Sequence, residues 1–222
     1  MKKTYVLLTT LLVLMVSVGA AEDPQKIIKK VKDNFSSIKD YQVDVNIKVD
    51  VDILKVPEMN AVMYFKQPDK MKMDSKGFAM LPKQAFSFAP GKLLGDNTSA
   101  IYLKDEDLSG NKCAVIRIVP NDMSGELLIS TVWIDKNKNI IRKIASSGKR
   151  GDTEILFSYD TSMKYPLPSS VRFSFDAPNL SRRNNDQQGQ KAKQSSGKGT
   201  AVIRYKNYRV NQGLSDKIFD KK

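Results

Sequence analysis

The chain has no histidine, a single cysteine and, beyond residue 18, no long apolar run. Each absence removes a class of chemistry. Without histidine there is no usual general base, no usual zinc ligand, and neither a Ser-His nor a Cys-His nucleophile pair. With Cys113 alone no internal disulfide can form, so packing must hold the core. Cys113 opens the apolar run Cys113 to Val119, which suits a small packed side chain better than a reactive thiol. Acidic residues are also scarce, 24 against 37 lysines and arginines, for a formal charge of +13. A surplus of that size attracts phosphates, anionic lipid or acidic polymers where it is concentrated. Here the lysines are dispersed through every segment, which reads as a solvated basic surface.

The first residues read as a targeting segment. Lys2 and Lys3 precede an apolar run from Tyr5 to Val18, short for a membrane span, and Gly19, Ala20 and Ala21 supply the small residues a signal peptidase needs. A cleaved signal peptide over residues 1–21, cut near Ala20 or Ala21, is the expectation. The competing reading, an uncleaved anchor, is disfavoured by the short run and by Glu22 and Asp23 directly after it. No cysteine near the cut can carry a lipid, so a soluble extracytoplasmic protein is expected. Residues 22–222 are the length of one domain.

What is present is alternation. From Tyr41 to Ile53 every odd position is apolar or aromatic and every even position polar, the pattern of a strand with one face in an apolar interior. Such a strand would run about 40 Å, roughly twice the usual length, which asks for a large, strongly curved antiparallel sheet. Before it, Asp23 and Pro24 predict a helix start. Ile27, Val31, Phe35 and Ile38 then form a stripe opposite Lys26, Lys29, Lys30 and Lys32, and the odd face of the strand is the natural surface beneath it. Met59 to Lys66 reads as a second strand, Gln67 to Lys70 as a turn, and Met71 and Met73 as the start of a third strand. Gly77 to Pro90 fits neither period, and describes equally a buried loop or a movable cover on an apolar pocket. From Ser99 a meander follows: Ala100 to Lys104, Cys113 to Val119, Glu126 to Ile134, Ile140 to Ser146, Thr153 to Asp160 and Ser170 to Asp176. Residues 179–199 are basic, polar and nearly free of aliphatics, which predicts a flexible loop before a last strand, Thr200 to Val210.

Specific chemistry is hard to find. Asp105, Asp107, Ser109, Gly110 and Asn111 match part of a calcium loop, but Ile116 stands where the bidentate glutamate belongs, so the run reads as a hairpin turn. No phosphate-cradling glycine loop, paired carboxylates or nucleophile elbow is present. Lysines interleaved with Tyr205 and Tyr208 suit an edge strand better than a nucleic-acid surface.

The order of elements resembles a known family. A signal peptide, one amphipathic helix, a long alternating strand, a strand ending in Lys66-Gln67-Pro68-Asp69-Lys70, the hairpin at Trp133-Ile134-Asp135 and the run Asn211-Gln212-Gly213-Leu214 before Phe219 together resemble the LolA-like periplasmic carriers of outer-membrane lipoproteins. The resemblance spans nearly the whole mature chain, and the basic loop after Asn179 departs from it. It implies a mainly β fold with one helix, an unclosed antiparallel β-barrel covered by the N-terminal helix and an apolar lid. It also implies a periplasmic monomer without cofactor, metal or enzymatic activity. The apolar interior would accept lipoprotein acyl chains, or lipid, received from an inner-membrane releasing transporter and delivered to an outer-membrane receptor. The residues expected to line that cavity and lid are Val43, Val45, Ile47, Val49, Met63, Phe65, Phe78, Met80, Leu81, Phe86, Phe88, Trp133 and Phe157. Two alternatives stand beside carriage: an envelope-stress sensor of the same fold that detects misplaced lipoprotein, and a lipid-acting enzyme, which the missing histidine disfavours.

Overall fold

A computed structural model of the chain describes residues 22–51, 54–55, 57–75, 94, 97–121, 129–148, 151–162, 164–177 and 197–220. Helix α1 spans Pro24–Ser36. The Asp23 carboxylate accepts the Gln25 N–H at 2.9 Å and Pro24 occupies the first turn, the start expected from the two residue types. Ile27, Ile28, Val31 and Phe35 are buried on the helix and Ile38 just beyond its end. Ile28 joins the expected stripe, widening the face that the helix buries. The helix comes closest to two strands far along the chain, Thr98–Leu108 and Ile140–Gly148, and Phe35 meets Phe65 edge-on at 5.8 Å. The helix therefore reaches well beyond the surface that follows it in sequence.

The strands are β1 Asp40–Val51, β2 Leu54–Lys55, β3 Met59–Lys66, β4 Lys70–Asp74, β5 Thr98–Leu108, β6 Asn111–Pro120, β7 Ile129–Asp135, β8 Ile140–Gly148, β9 Gly151–Ser158, β10 Ser170–Ala177 and β11 Gly197–Val210. All pairings are antiparallel, in the order β4-β3-β1-β11-β10-β9-β8-β7-β6-β5, with β2 pairing off β1. The first and last strands meet, Val45 opposite Tyr205 and Ile47 opposite Ile203, and so join the two ends of the meander. The sheet is open elsewhere. Its two edges are β4 and β5, neighbours in sequence, and among the described residues no strand bridges them. Among the described residues the result is an open half-barrel with one α-helix and no crossover helix between strands, the architecture that the alternation requires.

Two polar knots fix the ends of strands. Asp40, buried at the start of β1, accepts N–H bonds from Gln212 at 2.8 Å and Gly213 at 3.0 Å, with Leu214 at 3.3 Å. Asn211 completes the clasp, donating from its side chain to the Ser37 carbonyl and accepting from Lys39 N–H. Lys66 donates to the Leu214 carbonyl and pairs with Asp216, while Gln67 donates to the Ile38 carbonyl at 2.6 Å. The runs Lys66 to Lys70 and Asn211 to Leu214 are thus parts of one clasp around the entry to β1. The second knot is at the β7–β8 turn. Buried Asp135 accepts from Asn137 and Lys138 N–H on one oxygen and from Arg142 on the other. The calcium-like run is a hairpin turn, as its residues suggested: Ser109 and Gly110 have φ of 53° and 80°, and Asp107 accepts the Gly110 N–H.

Candidate functional site

Alternation along each strand gives the sheet two chemically different faces. On β1, Tyr41, Val43, Val45, Ile47 and Val49 are buried, while Asp44, Asn46 and Lys48 point outward. Pairing then carries the apolar side across the sheet in a continuous row. Val49 of β1 is opposite Ala201 of β11, then come Phe173, Ile155, Ile144, Val132, Ile116 and finally Tyr102 of β5. At about 4.8 Å between strands this row is roughly 34 Å of unbroken apolar wall. A parallel row runs through Ile47, Ile203, Val171 and Phe157, and Met63 and Phe65 extend the wall toward β4. Burial pushes the phenols of Tyr41, Tyr205 and Tyr208 upward, so the aromatic part of the wall is uncharged at any physiological pH.

The wall has two features that alternation alone does not show. The hydroxyls of Ser130 and Ser146 face each other at 2.8 Å, a polar pair that satisfies itself on the apolar side. Gly199 leaves room for the Phe175 ring, which a β-carbon there would meet at 2.5 Å. Phe175 in turn stacks on Phe173 at 5.3 Å. Leu94 and Leu167 are also buried in the same core.

Eight of the thirteen expected lining residues are described, and seven of them share this wall: Val43, Val45, Ile47, Val49, Met63, Phe65 and Phe157. Trp133 does not. On β7 the buried core residues are Val132 and Ile134, so Trp133 between them faces outward. It covers the convex side near buried Val115, with the Lys143 ammonium 4.8 Å above its ring. Its indole nitrogen is buried without a hydrogen-bond partner of ordinary geometry, yet lies near enough to Glu106 to help Lys104 hold that carboxyl below its usual range. Phe78, Met80, Leu81, Phe86 and Phe88 lie outside the described residues, as does the segment expected to form a lid.

The convex face is polar. It carries an open groove of about 870 Å³ lined by Asp44, Asn46, Glu58, Asn60, Asp74, Arg204, Lys206 and Asn207 among others, a mixture of charges unsuited to hydrocarbon. Cys113 is fully buried on this side of β6, and its thiol is pushed up to about 11 by burial and the nearby Asp135, so it stays protonated and unreactive at neutral pH. Among the described residues no group of three or more Cys, Asp or Glu side chains is arranged to hold a metal ion, and no helix is long and apolar enough to cross a membrane.

The same architecture occurs in solved structures of low sequence identity. A candidate outer-membrane lipoprotein-sorting protein domain from Vibrio parahaemolyticus superposes with a TM-score of 0.60 at 14% identity, covering 90% of this chain and 97% of the other. A DUF1329 family protein from Desulfovibrio piger gives 0.57 at 13%, covering 89% and 98%. A LolA superfamily protein from Nitrosomonas europaea gives 0.52 at 12%, covering 89% and 97%. No protein-family model and no curated protein matches the chain. The fold is LolA-like.

Proposed function

We propose that this protein is a non-catalytic carrier that holds the acyl chains of lipoproteins, or of lipid, against the concave wall of its half-barrel and moves them through the periplasm. The observation that carries the reading is the row from Val49 to Tyr102, apolar on every strand it crosses. Each acyl methylene buried against such a wall contributes about 0.8 kcal/mol. Because the wall residues are buried in this state, loading requires a cover to move, and among the described residues that cover is α1. The lipoprotein-sorting and LolA-superfamily designations of similar structures support the reading at the level of fold. On this reading the N-terminal run is a cleaved signal peptide. The partners are a membrane transporter that releases clients and an outer-membrane receptor that accepts them.

Displacement of a fluorescent fatty-acyl probe tests it, run beside native mass spectrometry of protein taken from its own envelope. Micromolar probe binding, lost in a folded Phe157→Asp variant, is the expected result. Absence of binding by the parent protein would overturn the reading. Co-purifying membrane-protein fragments in place of lipid would move it to sensing.

A further inference from the structure

Tyrosines gather where β1 begins and β11 ends. Strict alternation would put Tyr205 and Tyr208, three residues apart on β11, on opposite faces of the sheet. A bulge brings them to the same one: Gln42 pairs with Arg209 and Asp44 with Lys206, so Asn207 and Tyr208 both stand against Val43. Asn207 takes the positive φ of 56° that the bulge needs, and its amide donates to the Asp44 carboxylate at 2.8 Å. Tyr205 then stacks on Tyr208 at 6.0 Å, Tyr41 meets Tyr208 edge-on at 5.6 Å, and Tyr41 stacks on Phe65 at 5.0 Å. The hydroxyls of this group divide into two kinds. Tyr208 donates to the Pro168 carbonyl at 2.9 Å, and nearby Tyr159 to the Ile141 carbonyl at 2.7 Å. The hydroxyls of Tyr41 and Tyr205 have no hydrogen-bond partner among the described residues, although the two residues are only 1% and 6% exposed. A buried tyrosine ordinarily bonds its hydroxyl, and one left unbonded is less stable there than phenylalanine. No charged side chain of the described residues acts on either phenol: burial pushes both up, with the neighbouring Tyr205 adding to the shift of Tyr41.

We propose that Tyr41 and Tyr205 donate hydrogen bonds to the ester carbonyl oxygens of the acylated ligand and so fix which end of it lies at the start of β1. The inference rests on the carrier reading. A protonated phenol is a donor, and an ester carbonyl accepts from it without bringing a charge into the wall. A free carboxylate would accept as well, but it would be desolvated with no cation beside it. The acyl chains then run along Val45, Ile47 and Ile203, the apolar residues next to the pair on β1 and β11. The cover reaches this end too, because Phe35 of α1 sits edge-on to Phe65, on which Tyr41 is stacked. Displacing α1 therefore uncovers the tyrosines together with the wall.

The test uses the full mature protein and two matched probes: methyl palmitate, and hexadecyl methyl ether, the same chain with a methylene in place of the carbonyl. The ester should bind about tenfold tighter than the ether, and the infrared band of its isotope-labelled carbonyl should fall below its position in hexane. In a Tyr41→Phe, Tyr205→Phe double variant the ester's advantage should vanish and the band return, while the ether binds as before. That variant should melt no lower than the parent, since it loses no hydrogen bond within the described residues. A dipalmitoylglyceryl-thioether peptide and a dipalmitoyl phospholipid, each carrying the ester, separate the two sources of ligand. The one that the pair recognises loses about tenfold in affinity in the double variant, and loss by neither overturns the inference. Equal affinity for ester and ether in the parent, an unshifted carbonyl band, or an ester advantage that survives in the double variant also overturns it and leaves carriage standing. Failure of the parent to bind either probe overturns carriage and the inference together.

Discussion

The two faces of this sheet are made from the same strands and almost the same number of positions, yet they are stabilised differently. The concave face is continuous: removing one side chain opens a void bounded by residues from several strands. The convex face is local, made of cross-strand pairs such as Lys143 with Glu154 at 2.6 Å and small clusters such as Trp133 over Val115. Away from the buried Asp135–Arg142 pair, a defect there is met by water. Period-two alternation decides which residues share a face, but the identity of the inner face follows from the majority of residues along a strand, not from the size of any one of them. A substitution's cost should therefore follow its face before its residue type.

The largest effect is expected from Ile47→Asp. Ile47 is 2% exposed and lies between Ile203 and Met59, so an unpaired carboxylate there is desolvated without a partner. A loss above about 4 kcal/mol, seen as failure to give a cooperative melt, is the expected outcome. The reverse control, Asn46→Asp one residue along, should melt like the parent. Next comes Asp135→Ala, which leaves Arg142 half of a buried pair and should cost about 3–5 kcal/mol in urea titrations. Burial pushes the Asp135 carboxyl up, but hydrogen bonds from Arg142, Lys138 and Asn137 outweigh it and hold the group below the usual carboxylate range. Its stabilising effect is therefore complete above about pH 3.9, the unfolded value, and drains away as the pH falls through the lower folded one. Parent and Asp135→Ala stabilities should converge as urea titrations are carried below pH 4. A gap independent of pH would show that the lost contacts, and not the ionised carboxylate, carry the cost.

How far the sequence led depended on whether neighbours or distant strands decided each feature. Tyr41 to Val49 announced its own inner face, and Met59 to Lys66 matched β3 to the residue, because alternation is a property of the segment itself. The pairing of β1 with β11 and the opening between β4 and β5 were not legible, since no local pattern encodes which strands meet. Trp133 lies on the face opposite the expected one for a related reason. An isolated large aromatic suggests a cavity, but Val132 and Ile134 on either side already claim the inner face. The Asp40 clasp was visible only as two unexplained motifs, and a polar residue at the head of an apolar strand was the available clue.

That clasp supplies a prediction of middle size. Asp40→Ala strands three backbone N–H groups and frees the tail after Val210, at a cost of about 2–3 kcal/mol. Faster amide exchange at Gln212 to Leu214 should accompany it, with the β7–β8 hairpin unaffected. Trp133→Ala should cost less than the 3–5 kcal/mol typical of large core aromatics, about 1–2 kcal/mol, because water can enter the site. Acyl-probe binding should be unchanged in this variant. Loss of binding by folded protein would put the indole on the ligand side after all.

The smallest effect is expected from the convex cations. Lys48, Arg172, Arg204 and Lys206 are exposed on the adjacent strands β1, β10 and β11; Arg172 and Lys48 flank Val202 in register, and Lys206 stands opposite Asp44. The Asp44 carboxylate is instead bound by the Asn207 amide at 2.8 Å and approached by Arg209 at 3.9 Å. With no ion pair to lose among the described residues and charges of both signs nearby, Arg204→Gln with Lys206→Gln should leave stability within about 0.5 kcal/mol of the parent, a melting shift of about 1–2 °C. Whatever small change remains should shrink at high salt, because the two cations act on the groove's mixed charges only through screened, long-range interactions. A destabilisation beyond 1 kcal/mol at either salt would mean that the convex face is cooperative in the way the concave face is, and the contrast between them would fail.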